Sequence, residues 1–210
     1  MSKQKDYLPI ESFELENTYH VNPLMTCIKL ARFKFAAKML SKSDIVLDLG
    51  CGNGYSSHFF SKFCQKVIGV DLYSNIENVS NKFANANISF YEHDILKPLP
   101  EKILDENFTS VIAIDVIEHF YQNDGISIIK NYSKKLPIGG MFILGTPNKY
   151  SEQYRSKQSQ NVHFYEYKPL ELKEICDEYF SRTLLFSMND EIVHTGFYNL
   201  AWFFYIIGIK

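Results

Sequence analysis

From residue 45 onward, apolar runs of strand length alternate with stretches whose apolar residues recur every three or four positions. Ile45 to Leu49, Val67 to Asp71, Ile88 to His93, Val111 to Asp115 and Met141 to Thr146 read as strands. Between them Ser56 to Phe63, Asn75 to Phe83 and Gly125 to Leu136 read as helices, the last with Ile129, Tyr132 and Leu136 on one face. Strands that alternate with helices imply a parallel sheet covered on both faces, a three-layer α/β sandwich. Upstream, Leu24, Ile28, Ala31, Phe35 and Met39 recur at helical spacing as far as Leu40, so a helix precedes the first strand. Downstream, Pro169 opens a helix carrying Leu172, Ile175, Cys176 and Tyr179. Thr183 to Met188 and Leu200 to Ile209, separated by the polar stretch Asn189 to Thr195, are expected as an antiparallel edge pair. The sheet would then be seven-stranded and mostly parallel, with an antiparallel last strand. Pro147 to Lys168 shows no period, is long for a connection and leaves the end of a central strand, so residues 147–168 are expected as a lid.

Composition narrows this picture. With 210 residues, 46% of them hydrophobic and 22% charged, the chain suits one domain with a sizeable core, spanning residues 1–210 with 1–40 as an N-terminal cap. The net charge of -2 and the scattered Lys and Arg provide no basic stripe, so no nucleic acid partner is expected. Cys27, Cys51, Cys64 and Cys176 lie far apart and form no CxxC pair, which argues against a zinc ribbon or a disulfide framework and fits the cytoplasm. The first ten residues have no apolar core of a signal peptide, and the longest apolar run, Leu200 to Ile209, is half a bilayer span. No membrane insertion is expected.

The first strand leads directly into Gly50-Cys51-Gly52-Asn53-Gly54 and then a helical segment. Glycines let the backbone turn tightly and approach a ligand, and the free N–H groups of a helix start point into the same space. A dinucleotide fingerprint would need a third glycine where Tyr55 stands. Asp48 would also set a negative charge beside a pyrophosphate, whereas it suits S-adenosylmethionine, which carries an ammonium and a sulfonium and no phosphate. The run VLDLGCGNGY strongly resembles motif I of class I S-adenosylmethionine-dependent methyltransferases. That resemblance implies a Rossmann-like fold and a cofactor site built from Asp48, Gly50, Cys51, Gly52, Asn53 and Gly54. It further implies Asp71 with Leu72 at the ribose, Asp94 with Ile95 at the adenine, and Asp115 near the donor, with S-adenosylhomocysteine as the product.

The fourth strand ends Ile114-Asp115-Val116-Ile117-Glu118-His119 and the fifth Gly145-Thr146-Pro147-Asn148, similar to small-molecule methyltransferases. Arg32-Phe33-Lys34-Phe35-Ala36, and Asn161 to Tyr167 followed by Glu171-Leu172, resemble elements of enzymes from polysaccharide and secondary-metabolite pathways. The acceptor implied is a small molecule, first of all a hydroxyl of a sugar or nucleotide-linked precursor of a surface polysaccharide. An alcohol must lose a proton as it attacks, so His119, His163 and Glu118 are the candidate catalytic residues. Glu118, His119 and His163, with Asp115, also resemble the carboxylate and histidine metal set of RNA 3'-terminal 2'-O-methyltransferases, which leaves a divalent metal open. Metal-dependent transfer to another acceptor, transfer to nitrogen, a silent S-adenosylmethionine-binding module and a nicotinamide-dependent oxidoreductase stay as alternatives.

Overall fold

The computed structural model describes residues 15–72, 75–84 and 87–210, so residues 1–14 of the expected cap lie outside the described residues. A short helix α1 (Leu15–Val21) is followed by α2 (Pro23–Met39), whose start is encoded by Asn22-Pro23. The Asn22 side chain accepts from the Met25 amide at 3.0 Å, and proline takes a first-turn position where its missing N–H is no loss.

Five parallel strands follow: β1 (Ile45–Leu49), β2 (Lys66–Asp71), β3 (Ile88–Glu92), β4 (Ser110–Ile114) and β5 (Met141–Pro147). Between them run α3 (Tyr55–Phe60), α4 (Ile76–Lys82), α5 (Glu101–Leu104) and α6 (Gln122–Ser133). The C-terminal part adds α7 (Lys157–Val162), α8 (Pro169–Asp177), β6 (Arg182–Asn189), β7 (Ile192–His194) and β8 (Phe203–Ile209). The strand order is β3-β2-β1-β4-β5-β8-β6-β7, with β8 antiparallel to both β5 and β6. This is a Rossmann-like three-layer α/β fold.

The sheet has eight strands instead of the seven expected, because Ile192–His194 folds back on the end of β6 through a turn at Asp190, whose φ is 51°. The last strand is not at the edge either. Every residue from Phe203 to Gly208 is buried, and a strand so apolar is stable only with a neighbour on each side and cover on both faces. Side chains alternate along each strand into two cores: Leu47, Ile68, Val111 and Phe142 lie on the face covered by α6 and α8, and Val46, Val67, Ile112 and Ile143 on the face covered by α2 and α3.

Residues 147–168 are not structureless. Asn148 caps a 3-10 turn at Lys149–Tyr154 by accepting from the Tyr150 amide, and Ser156 caps α7 by accepting from the Ser159 amide. Among the described residues, no helix is long and apolar enough to cross a membrane. Strand order reverses beside β1, whose neighbours are β2 and β4, so a crevice opens at the carboxyl ends of these strands.

Candidate active site

The loop after β1 is a run of left-handed turns: φ is 69° at Gly50, 50° at Gly52 and 78° at Gly54. At Gly50 an added Cβ would also stand 2.6 Å from Val116 Cγ2, so glycine is required there twice over. The Gly50 and Cys51 amides donate to the Val70 carbonyl at 2.9 and 3.1 Å, and the Gly52 amide donates to Asp71 Oδ2 at 3.0 Å. The end of β2 thereby fixes the loop, and Asn53 completes its turn. Asp48 is buried under the loop, where the Ser56 and Ser57 hydroxyls donate to its Oδ2 at 2.7 and 2.6 Å. Burial pushes its carboxyl up to about 6, against the pull of both hydroxyls. The Cys51 thiol is buried, and that burial raises its pKa well above the ordinary range, which disfavours the thiolate.

Asp71 and Leu72 follow at the end of β2, half-buried and exposed respectively. Asp94, after β3, accepts from the Leu96 amide at 3.0 Å and lies 3.7 Å from Lys97 Nζ. Ile95 packs into the core, and its carbonyl accepts from the Tyr132 hydroxyl at 3.2 Å.

Past β4 the chain turns through Asp115, whose φ of 56° is unusual for a residue with a side chain. Arg32 of α2 holds it: one terminal nitrogen lies 2.7 Å from both carboxylate oxygens, and the guanidinium carbon sits 3.9 Å over the Phe203 ring. Burial alone would raise the Asp115 carboxyl, but the charges of Arg32 and Lys29 keep it below its ordinary value.

A 3-10 turn, Ile117–His119, then carries Glu118 and His119. Glu118 is fully buried. Thr146 of β5 donates to its Oε2 at 2.9 Å, its Oε1 has no hydrogen-bond partner among the described residues, and burial with the nearby Asp115 charge lifts its carboxyl to about 7. His119 Nδ1 donates to the Val162 carbonyl at 3.0 Å, and burial lowers the imidazole to about 4. His163 Nδ1 lies 2.6 Å from Glu166 Oε1, which in turn accepts from Arg155 Nε at 3.1 Å. Burial pulls the His163 imidazole down, but that hydrogen bond and the charge of Glu118 raise it overall.

One donor atom from each of Glu118, His119 and His163 falls within 4.8 Å of the other two, and the two rings meet edge to face with centroids 4.9 Å apart. The segment 147–168 is sewn to this turn, since the Phe164 and Tyr165 amides donate to the Glu118 carbonyl at 2.8 and 3.2 Å. Beside His163 lies a cavity of about 370 Å³ whose lining includes Lys149, Glu152, Tyr165 and Glu166.

A family model described as a methyltransferase domain matches residues 40–183. The chain belongs to that family. The methyltransferase domain is 28% identical over 134 residues to a probable S-adenosylmethionine-dependent methyltransferase of Mycolicibacterium smegmatis, covering 63% of this chain and 49% of the relative. It is 28% identical over 114 residues to a ubiquinone biosynthesis O-methyltransferase of Pelagibacter ubique, covering 54% and 46%. The chain thus spans about half the length of these two curated relatives. Among solved structures, the methyltransferase domain of bacterial CtHen1-C superposes with a TM-score of 0.67 at 18% identity, covering 87% of this chain and 98% of that one. The N-methyltransferase NodS of Bradyrhizobium japonicum, with S-adenosyl-L-homocysteine, does so with 0.60 at 15%, covering 95% and 89%. At such identities the structural likeness bears on the fold alone.

S-adenosylmethionine is the cofactor of this methyltransferase domain. The loop fits it: three left-handed glycines keep side chains out of the crevice, and carboxylates at the ends of β2 and β3 suit ribose hydroxyls and an adenine amino group. Of the residues singled out in the sequence, Glu118, His119 and His163 come together, while Asp115 is drawn off by Arg32. Thr146, Arg155 and Glu166 support the cluster. Thr146 and Glu166 stand inside motifs that the sequence offered, but nothing local marks Arg155 as a partner of a residue 11 positions further on.

Proposed function

We propose that this methyltransferase domain transfers the methyl group of S-adenosylmethionine to an oxygen atom of a small-molecule acceptor held beside His163. The observation that carries the reading is the cluster of Glu118, His119 and His163 after β4, of which His163 also lines a cavity of about 370 Å³, a small-ligand size. Methyl transfer from a sulfonium needs chiefly close, collinear positioning, because the donor supplies an already activated carbon. A transfer to oxygen also needs somewhere for the acceptor's proton to go. A buried carboxylate and two imidazoles, with partners fixing their rings, provide that function at one point.

In this reading Asp71 receives the ribose hydroxyls, Asp94 the adenine amino group, and the loop from Asp48 to Gly54 with Cys51 and Asn53 shapes the space between them. Leu72 and Ile95 flank the adenine, and the Asp115–Arg32 pair closes the donor side against α2. Residues 147–168 shield the reacting atoms and supply His163. The relatives named ubiquinone biosynthesis O-methyltransferases support oxygen as the acceptor atom. The resemblance of Arg32 to Ala36 and Asn161 to Tyr167 favours a sugar or nucleotide-linked precursor of a surface polysaccharide as the acceptor class.

A panel of hydroxylated acceptors, read by mass spectrometry for a gain of one methyl group, tests this. A sugar-linked acceptor is expected to react, and His119→Ala and His163→Ala are each expected to lower kcat by ~100-fold or more with donor affinity unchanged. Methylation of amines alone would overturn the oxygen reading.

A further inference from the structure

We infer that the cavity beside His163 is a specificity subsite for an uncharged, hydroxyl-rich sugar ring, read chiefly by Glu152, Gln153 and Gln160. This rests on the reading that the acceptor lies beside His163, and it narrows that acceptor to a neutral glycoside.

The cavity volume of about 370 Å³ lies near the low end of small-molecule sites, which run from roughly 300 to 1,000 Å³, so it suits one ring with its substituents. Its wall comes from three pieces of the segment 147–168. The 3-10 turn Lys149–Tyr154 supplies Lys149, Glu152 and Gln153, α7 supplies Gln160, and the stretch after α7 supplies His163 to Glu166. Phe164 alone among the lining residues has no polar side-chain atom. Ligand sites are usually apolar with a few polar groups, so a wall with that balance reversed suits a ligand whose own surface is hydroxyls. A phenolic or prenylated ring would displace water from these groups without replacing its hydrogen bonds.

The polar groups are of the kinds that pair with hydroxyls, since a carboxamide both donates and accepts and a carboxylate accepts from two hydroxyls at once. Gln160 donates from Nε2 to the Arg155 carbonyl at 3.2 Å, which holds its amide in place. Glu166 is buried; its Oε1 accepts from Arg155 and lies 2.6 Å from His163 Nδ1, while its Oε2 has no hydrogen-bond partner among the described residues. A hydroxyl donated from the cavity would supply one. Tyr165 commits its hydroxyl to Glu171 Oε1 at 2.6 Å, so what it offers a ligand is its ring, which suits the C–H face of a sugar.

The charges in the wall are already balanced. Lys149 Nζ lies 2.7 Å from Glu152 Oε2, and Arg155 pairs with Glu166 at 3.1 Å. A phosphate or carboxylate in the cavity would meet two carboxylates whose cations are taken, so anionic sugars are disfavoured. Because His163 belongs both to this wall and to the cluster with Glu118 and His119, the ring hydroxyl that faces His163 is the one set to receive the methyl group.

Saturation-transfer difference NMR on the full chain, without methyl donor, tests this. The probes are the methyl glycosides of glucose, galactose, mannose, rhamnose and fucose, set against glucuronic acid and glucose 6-phosphate. At least one neutral glycoside is expected to bind, and both anions at least ~10-fold more weakly. Gln160→Ala is expected to weaken the neutral glycoside ~3- to 10-fold. Glu152→Gln keeps a hydrogen-bonding group but releases Lys149, so it is expected to strengthen binding of glucuronic acid at least ~3-fold. Both residues are exposed, and circular dichroism of both variants is expected to match the wild type. No neutral glycoside bound, anions bound as tightly as neutral glycosides, or both variants indistinguishable from the wild type would overturn the inference. Binding is read without the donor, so such a failure leaves methyl transfer to oxygen standing. A glycoside that binds with this pattern yet gains no methyl group once S-adenosylmethionine is added would count against the transfer reading instead.

Discussion

Asp48 carries a cost that its two serine partners do not remove. Its folded-state carboxyl sits at about 6, against 3.8 for a free one, because it is buried. A raised pKa means that the stability it allows is fully present below about pH 4 and is lost as pH rises through about 6. Asp48→Asn, which does not titrate, is therefore expected to gain on the wild type by about 2 kcal/mol between about pH 4.5 and about pH 7. Urea denaturation of both proteins across that range measures it, and a constant difference would show that Asp48 is not desolvated as described. The burial of Asp48 under Ser56 and Ser57 was not legible from VLDLGCGNGY, since a strand-end aspartate reads equally well as solvated. The grouping of Glu118, His119 and His163 was legible as motif chemistry. The diversion of Asp115 to Arg32 was hidden, because the two are 83 residues apart and meet only through the docking of α2.

Among the elements, the segment 147–168 differs most from its sequence reading. Its apolar residues follow no period because they serve different neighbours: Phe164 meets Tyr121, Tyr154 stacks on Trp202 and Tyr167 is fully buried in the core. Its order depends on hydrogen bonds, with Arg155 at the centre. Besides Glu166, this side chain donates to the Asn148 carbonyl, the Ser151 hydroxyl and the Trp202 carbonyl at 3.2, 2.8 and 3.1 Å. Arg155→Ala leaves Glu166 buried with less to balance its charge, at an expected cost of ~2–4 kcal/mol. Amide hydrogen exchange is expected to speed up across residues 149–166 before the sheet is affected, and uniform acceleration over the whole domain would contradict a local role. The five parallel strands were readable to within a residue or two because buried parallel strands are continuous apolar runs. β7 was not, since three residues in a polar stretch carry no period, and neither was the place of β8, which depends on what flanks it in space.

For the molecule as a whole, the strand order puts every residue of the glycine loop, Asp71, Asp94 and the Glu118 turn at one end of one sheet. That convergence was foreseeable once the strands were assumed parallel, because parallel strands deliver their carboxyl ends to the same side. A ligand that binds only this assembled end stabilises the fold in proportion to its occupancy. We propose that the carboxyl end of β1 takes S-adenosylmethionine through the glycine loop and Asp71. Isothermal titration with S-adenosylhomocysteine and with NAD, on wild type and Asp71→Ala, tests it most directly. One equivalent of S-adenosylhomocysteine is expected to bind the wild type, with at least ~10-fold weaker binding by Asp71→Ala from the loss of charge-assisted hydrogen bonds, and no binding of NAD. Binding of NAD without S-adenosylhomocysteine, or undiminished affinity in Asp71→Ala, would contradict it.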